Sequence, residues 1–242
     1  MEKLVVQGRG LVRRFGDLVA VDGLDFAVEM GEIYGLIGPN GSGKTTTIKL
    51  VCGLLRPHAG SVRVLGKKVP DPAVLESIGY MPQETAIYPD LTVHDNIRFF
   101  GEIYGLSGKE IAKREEELID FAGLKEKKDA LASTLSGGLK HRLSFVCTLV
   151  HMPKVLFLDE PTVGVDPELR FSFWEFFCAL REKGVTTIIT THYMDEAQRC
   201  TRVGLIRQGR LVAEDHPKKL METTGTNSLE DAFLAFSRGE VR

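Results

Sequence analysis

Two kinds of strand-like pattern occur along the chain. Over residues 3–28 apolar and polar positions alternate loosely, and turns interrupt them at Gly8-Arg9-Gly10 and Gly16-Asp17, as in antiparallel strands. The runs 155–158 and 185–190 are instead apolar or β-branched almost throughout, which is typical of parallel strands covered on both faces. The pattern predicts an α/β fold with a mostly parallel sheet and a small antiparallel β layer near the N-terminus.

A long helical pattern separates the two halves of this sheet. Two of its segments begin with the helix-capping sequence Ser/Thr-x-x-Asp/Glu, at Thr92 and Ser107, and glycines that end helices follow at Gly105 and Gly123. No strand-like run interrupts it. We therefore expect three parts: a core of residues 1–89 and 153–215, a helical subdomain of residues 90–152 inserted into it, and a short C-terminal helical extension of residues 216–242.

Composition and charge narrow the class of protein. The 242 residues include 31 Lys and Arg against 33 Asp and Glu, a net charge of −2, which favours neither disorder nor a basic nucleic-acid surface. The longest stretches without a charged residue span only eleven positions, whereas a membrane helix needs about 20 apolar residues. The four cysteines are far apart and no apolar signal-peptide core is present. We expect a cytosolic protein with reduced thiols.

A glycine-rich loop follows the apolar run 33–37 and precedes a helical pattern. Its residues are Gly38, Pro39, Asn40, Gly41, Ser42, Gly43, Lys44 and Thr45. Backbone N–H groups of such a loop surround an anion, and the helix N-terminus adds its positive dipole end. Lys44 would reach the terminal phosphates and Thr45 could bind Mg²⁺. Thr46, the next residue, is also expected to bind the nucleotide. The alternative is a glycine-rich turn that matches by chance. It is the weaker one because strand, loop, Lys-Thr pair and helix all agree, so we predict a nucleoside triphosphate site.

Two adjacent carboxylates end the run 155–158. Asp159 is suited to bind Mg²⁺ directly or through water. Glu160 could polarise a water for attack on the γ-phosphate, a general-base role typically worth ~10² to 10⁴ in rate. The alternative is an Asp-Glu-Pro turn that merely ends a strand.

A second anion site is predicted at Ser136, Gly137 and Gly138, which precede a helical pattern. Taken alone, an ordinary serine N-cap explains this segment better. The order of motifs changes that assessment. The chain presents in turn the phosphate loop, Met81-Pro82-Gln83, Leu-Ser-Gly-Gly at 135–138, Asp159-Glu160 and Thr191-His192. This order resembles the ATP-binding cassette (ABC) ATPases over essentially the whole chain, and it implies a P-loop NTPase core.

The resemblance implies roles for four further residues. Phe15 matches the aromatic residue that stacks on adenine, with core packing as its alternative. Gln83 matches the glutamine that senses Mg²⁺ and the γ-phosphate, so we expect it beside Thr45 and Asp159 as a metal ligand, with a plain turn residue after Pro82 as its alternative. His192 matches the histidine that contacts the γ-phosphate. Asp166 matches the dimer-contact loop, and it can also cap the helix that begins at Pro167.

One position departs from the family pattern. The signature usually ends in Gln, where this chain has Leu139. A leucine side chain makes no hydrogen bond, but Ser136 and the amides of Gly137 and Gly138 could still bind phosphate. We therefore expect an active ATPase.

The resemblance also implies a function and partners. We expect an ATP-binding and ATP-hydrolysing subunit of an ABC transporter, with ATP and Mg²⁺ as cofactors. The segments 160–167, 191–197 and 228–234 look like the export branch that handles drugs, lipids, polysaccharides or ions. The implied partners are a second copy of the chain in an ATP-sandwich dimer and an integral-membrane subunit docking near residues 83–88, with no nucleic acid. This would place the protein on the inner face of the cell membrane.

Two other functions stay open at this stage. One is a cassette ATPase acting on ribosomes or DNA, which usually carries two cassettes and basic linkers or a long coiled coil. The other is a nucleotide-gated scaffold without turnover.

Overall fold

Residues 4–239 are described in the computed structural model, so residues 1–3 of the expected core and 240–242 of the expected extension lie outside the described part. The strands are β1 (Leu4–Phe15), β2 (Leu18–Glu29), β3 (Ile33–Ile37), β4 (Ala59–Val64), β5 (Lys67–Lys68), β6 (Ile78–Met81), β7 (Val155–Asp159), β8 (Thr186–Thr191), β9 (Arg202–Arg207) and β10 (Arg210–Asp215). The α-helices are α1 (Lys44–Val51), α2 (Pro72–Leu75), α3 (Val93–Ile103), α4 (Gly108–Phe121), α5 (Gly137–Leu149), α6 (Pro167–Glu182), α7 (Met194–Ala197), α8 (Pro217–Thr224) and α9 (Leu229–Arg238).

The strands form two sheets of different kinds. The first is antiparallel in the order β2-β1-β4-β5. The second has the order β10-β9-β3-β8-β7-β6 and is parallel except for β10, which pairs with β9 as a hairpin. The predicted α/β class, mostly parallel sheet and antiparallel β layer near the N-terminus are therefore confirmed.

The parallel strands bring four chain segments together at the carboxyl ends of the strands. Their register pairs Ile37 with Thr191, Asp159 with Thr190 and Leu158 with Met81. Carboxyl ends of parallel strands are the usual place for ligands in open α/β sheets. The loops after β3, β6, β7 and β8 therefore start side by side.

The helices between β6 and β7 confirm the predicted capping. The Thr92 hydroxyl accepts the Asp95 N–H at 3.0 Å, and Ser107 forms a reciprocal capping box with Glu110. These helices share a hydrophobic cluster with the sheet and α6, in which the Phe145 ring lies 4.8 Å from that of Phe173. The boundaries of the helical subdomain stay a prediction, because packing is continuous across them. No helix within residues 4–239 has the length and apolar character to span a membrane.

Two histidines lie on and just after α5, of which His141 is buried and His151 is partly buried. His141 Nε2 lies 2.6 Å from the Pro161 carbonyl oxygen, and His151 Nε2 lies 2.9 Å from that of Ile78. Since a carbonyl only accepts, each Nε2 carries the proton. The His151 ring also stacks on Tyr104 at 3.6 Å. Burial lowers the pKa of both imidazoles.

These lowered pKa values predict acid sensitivity. Below the ordinary histidine pKa of about 6.5, the unfolded chain binds protons that the folded chain does not. The free energy of unfolding therefore decreases as the pH is lowered. We expect urea denaturation to show this decrease between about pH 7.5 and pH 5.5. His151→Gln keeps a donor for Ile78 but removes the titrating ring, so its decrease should be smaller. An equal decrease in both proteins would contradict the prediction.

Candidate nucleotide-binding site

The glycine-rich loop connects β3 to α1, and close backbone approaches require glycine at positions 38 and 43. A Cβ on Gly43 would lie 2.4 Å from the Ala20 carbonyl oxygen, and one on Gly38 would lie 2.2 Å from that of Ile206. Gly43 also has φ of 107°, in the left-handed region. The loop is therefore pressed against β2 and β9.

Lys44 begins α1 and is 5% exposed. Its Nζ donates to the carbonyl oxygens of Gly38 at 2.8 Å and Pro39 at 3.2 Å, and it lies 3.6 Å from Glu160 Oε1. Burial lowers the pKa of Lys44, and the nearby Glu160 carboxylate partly opposes this effect. The ammonium is thus held within the loop that would receive the phosphates.

Asp159 is fully buried at the end of β7, and its two oxygens differ. Oδ1 accepts hydrogen bonds from the hydroxyls of Thr45 at 3.1 Å and Thr190 at 2.5 Å. Oδ2 is buried and has no hydrogen-bond partner among the described residues. A buried carboxylate oxygen without a partner is costly.

This donor set fits Mg²⁺. The ion prefers oxygen ligands and is usually bound through one or two carboxylates together with substrate phosphates and water. Within residues 4–239 no group of three or more His, Cys, Asp or Glu side chains could hold a metal. The Asp159 carboxylate and the Thr45 hydroxyl are therefore suited to an ion shared with phosphate.

Glu160 lies at the centre of three predicted site residues. Gln83 Nε2 donates to Glu160 Oε2 at 3.1 Å, whereas Lys44 Nζ approaches Oε1. His192 Nδ1 lies 3.4 Å from Oε1 without making a hydrogen bond. The Glu160 backbone adopts φ of 52°, an unfavourable conformation for a non-glycine residue, and its N–H donates to Thr190 Oγ1 at 3.0 Å.

An open cavity joins this centre to the antiparallel sheet. It is lined by Phe15, Leu18, Ala20, Asn40, Gly41, Gly43, Lys44, Thr45, Thr46, Gln83 and Glu160. Phe15 is 44% exposed, and the Arg13 guanidinium lies 4.8 Å from its ring centre. The alternative that Phe15 is a core residue is therefore wrong. An exposed aromatic face in the same cavity as a phosphate loop is suited to a nucleobase.

The remaining predicted residues do not line this cavity. Ser136 caps α5 by accepting the Leu139 N–H at 3.4 Å, and Gly137 and Gly138 have open space around them. The Leu139 side chain packs against the hydrophobic cluster, which explains how leucine is accommodated there.

Asp166 also lies apart from the cavity, as the N-cap of α6. Its Oδ1 accepts the Leu169 N–H at 2.9 Å, and this hydrogen bond lowers the pKa of Asp166. The predicted capping role is therefore confirmed.

Sequence reasoning missed Thr190. Its hydroxyl donates to Asp159, and the same oxygen accepts the Glu160 N–H. The signal was a threonine one residue before Thr191-His192, but only the register of β7 against β8 shows what it contacts.

Comparison with known proteins agrees with this geometry. The family model described as ABC transporter matches residues 21–163. The Probable multidrug ABC transporter ATP-binding protein YbhF of Escherichia coli strain K12 is 42% identical over 237 residues, covering 95% of this chain but 41% of that protein. The Nod factor export ATP-binding protein I of Burkholderia lata is 44% identical over 218 residues, covering 89% of this chain and 72% of that protein.

Solved structures agree as well. One described as an ATP binding subunit of an ABC transporter has a TM-score of 0.89 and 26% identity, covering 96% of this chain and 99% of that one. The cbiO1 protein of Clostridium perfringens, described as part of the ABC transporter complex cbiONQ, has a TM-score of 0.80 and 28% identity, covering 91% and 92% of the two chains. The chain thus spans about two fifths of its E. coli relative and nearly all of these structures. The family match, the shared fold and the loop beside two buried carboxylates all agree. They show that the chain belongs to the ABC transporter family.

Proposed function

We propose that the chain binds and hydrolyses ATP with Mg²⁺ and powers a separate membrane-spanning subunit, in the export branch of the family. The observation that carries this proposal is the placement of Glu160 among Lys44, Gln83 and His192 beside the phosphate loop. The names of the E. coli and Burkholderia relatives, which refer to multidrug transport and Nod factor export, support the export branch.

Nucleotide binding would use both ends of the cavity. The N–H groups of residues 40–46 and the Lys44 ammonium would hold the phosphates, since a helix N-terminus and a preceding glycine-rich loop favour anions. The adenine would stack on Phe15, a contact worth about 1 to 3 kcal/mol per base in comparable sites. Asn40, Gly41 and Thr46 line the cavity between these ends.

The Mg²⁺ ion would be held by Thr45 and Asp159, with Gln83 close by. Bound there, it would neutralise charge on the phosphate oxygens. Thr190 fixes the Asp159 carboxylate through Oδ1 and leaves Oδ2 free to bind.

Hydrolysis would depend on Glu160 as general base. Its carboxylate would accept a proton from the attacking water, while Gln83 holds one carboxylate oxygen in place. Lys44 and His192 approach the other oxygen and would face the γ-phosphate, where they would stabilise developing charge.

A second copy of the chain would complete the site. Ser136, Gly137, Gly138 and Asp166 lie away from the cavity of their own chain, and Ser136 and Gly137 are exposed. In a C₂ dimer each copy would present these residues to the ATP of the other, so both sites would form at once.

The membrane subunit would dock near residues 83–88. Tyr88 is 47% exposed and packs edge-on against Phe99, with 4.6 Å between ring centres. The buried Asn96 side chain fixes this segment to α3 by accepting the Tyr88 N–H at 2.8 Å and donating to its carbonyl at 3.0 Å. Movement of residues 83–88 would therefore be passed to the helices of residues 90–152. Docking would hold the chain at the inner face of the membrane.

The general base is tested by Glu160→Gln. The amide keeps the size of the side chain but cannot accept the proton, so hydrolysis should fall by ~10² to 10⁴, equivalent to ~2.7 to 5.4 kcal/mol. ATP should still bind and hold two copies together in size-exclusion chromatography with Mg-ATP. Glu126→Gln, at an exposed glutamate, is the matched control and should hydrolyse ATP normally. A strictly monomeric Glu160→Gln protein would count against the sandwich dimer.

The phosphate loop is tested by Lys44→Ala. Hydrogen bonds to charged groups contribute about 1.5 to 3 kcal/mol, so ATP affinity measured by calorimetry should fall about 10- to 150-fold. Lys49→Ala removes a lysine about one turn later on α1 and should leave affinity unchanged. Equal affinities for the wild type and Lys44→Ala would refute the assignment.

The docking segment is tested by Tyr88→Asp, alone or with Ile87→Asp. An unpaired charge in an interface is costly, so co-purification with the membrane subunit should be lost. Basal ATP hydrolysis should persist, because neither residue lines the nucleotide cavity. Leu54→Asp, at a leucine that is 56% exposed elsewhere, is the matched control. Loss of hydrolysis with partner binding retained would place residues 87 and 88 in the catalytic site instead.

A further inference from the structure

A buried carboxylate outside the nucleotide cavity connects the two chain segments that carry Glu160 and His192. Glu196 lies in α7 and is 1% exposed. Its Oε1 accepts a hydrogen bond from the Thr162 hydroxyl at 2.5 Å, and its Oε2 accepts one from the Thr191 hydroxyl at 2.9 Å. Each oxygen therefore holds a different segment of the chain.

The two threonines flank the proposed catalytic pair in sequence. Thr162 follows Glu160 by two residues, and Thr191 immediately precedes His192. The Thr191 hydroxyl oxygen also accepts the Tyr193 N–H at 3.0 Å, so the backbone on both sides of His192 is anchored to this one side chain.

His192 has little direct support of its own. Its Nδ1 lies 3.4 Å from Glu160 Oε1 without a hydrogen bond, and its ring lies 4.2 Å from that of Tyr193. The imidazole is therefore placed by the backbone that carries it rather than by a hydrogen bond at Nδ1.

Arg170 on α6 supplies charge to the same cluster. Its Nε lies 3.6 Å from Glu196 Oε1, and its guanidinium lies 5.0 Å from the Tyr193 ring centre. A carboxylate this deeply buried requires such compensation. The loop after Glu160 leads to the Asp166 cap, where α6 begins. Arg170 of α6 therefore connects that helix to Glu196 as well.

We propose that Glu196 is a positioning residue that sets the distance between His192 and Glu160 by bridging Thr191 and Thr162. The inference rests on the proposed ATP hydrolysis. Glu196 is not among the residues that line the nucleotide cavity. Its loss should therefore lower kcat and leave the binding of ATP nearly unchanged.

The test uses substitutions that change one hydroxyl at a time. Thr162→Val and Thr191→Val keep side-chain shape and remove one hydrogen bond each. A hydrogen bond of about 0.5 to 1.5 kcal/mol corresponds to roughly a two- to tenfold lower kcat if it serves the transition state, with the KM for ATP within about twofold. Thr187→Val is the matched control, because Thr187 is buried on the same strand and its hydroxyl has no hydrogen-bond partner among the described residues.

Variants of Glu196 itself separate positioning from folding. In Glu196→Gln the amide can accept from one threonine and donate to the other, so kcat should remain above that of Glu196→Ala. Adding Thr162→Val or Thr191→Val to Glu196→Ala should cost little more, because the bridge is already absent. Thermal unfolding of each variant would identify any protein that is simply unfolded, and the two valine variants then still decide the question.

Specific outcomes would overturn the inference. One is normal kcat in both valine variants beside an active wild type, which would leave the proposed ATP hydrolysis standing. Another is a fall in kcat for Thr187→Val as large as for Thr191→Val, which would indicate a general packing effect. Absence of phosphate release from wild-type protein with Mg-ATP would overturn both this inference and the proposed function.

Discussion

Two adjacent carboxylates, Asp159 and Glu160, are held almost out of contact with solvent at the carboxyl edge of β7. Buried charge is costly unless it is paired or hydrogen-bonded. Lys44, whose own pKa burial lowers, lies within 3.6 Å of Glu160, and hydroxyls of α1 and β8 hold one oxygen of Asp159. Within residues 4–239 the arrangement leaves Asp159 Oδ2 without a hydrogen-bond partner. A buried carboxylate oxygen of this kind is suited to bind a cation.

The parallel sheet is what makes this concentration of polar groups possible. Its strands β3, β7 and β8 are buried along their full lengths, and Asp159, Thr190 and Thr191 lie where β7 and β8 end. Thr190 illustrates the principle: one hydroxyl donates to the Asp159 carboxylate and accepts the N–H of Glu160, whose backbone is in the left-handed region. A single β-branched residue therefore fixes the Asp159 carboxylate and the backbone of Glu160. The neighbouring Thr191 donates to Glu196, which also accepts from Thr162.

How much the sequence predicts depends on whether the interactions are local. The phosphate loop, the carboxylate pair and the caps at Thr92, Ser107 and Asp166 follow from residues close together in the chain, and the structure brings them out as expected. Thr190 and Glu196 were missed because their roles depend on strand register and on contacts across more than thirty residues. The subdomain boundaries stay a prediction for a related reason, since Phe145 and Phe173 pack across them in one hydrophobic cluster.

The antiparallel sheet takes part in the site through backbone contacts that no motif reveals. The Ala20 carbonyl oxygen of β2 lies 2.4 Å from the position that a Cβ of Gly43 would take. It lies 2.9 Å from the corresponding position on Gly209, in the turn between β9 and β10. The Gly209 N–H donates to the Ser42 carbonyl at 2.9 Å. The phosphate loop is therefore enclosed by strand β2 and by the turn between β9 and β10, which are far apart in sequence. Because β1 carries Phe15 on the same sheet, the distance between the aromatic face and the phosphate loop is set by these glycine contacts, and a side chain at either glycine would alter it.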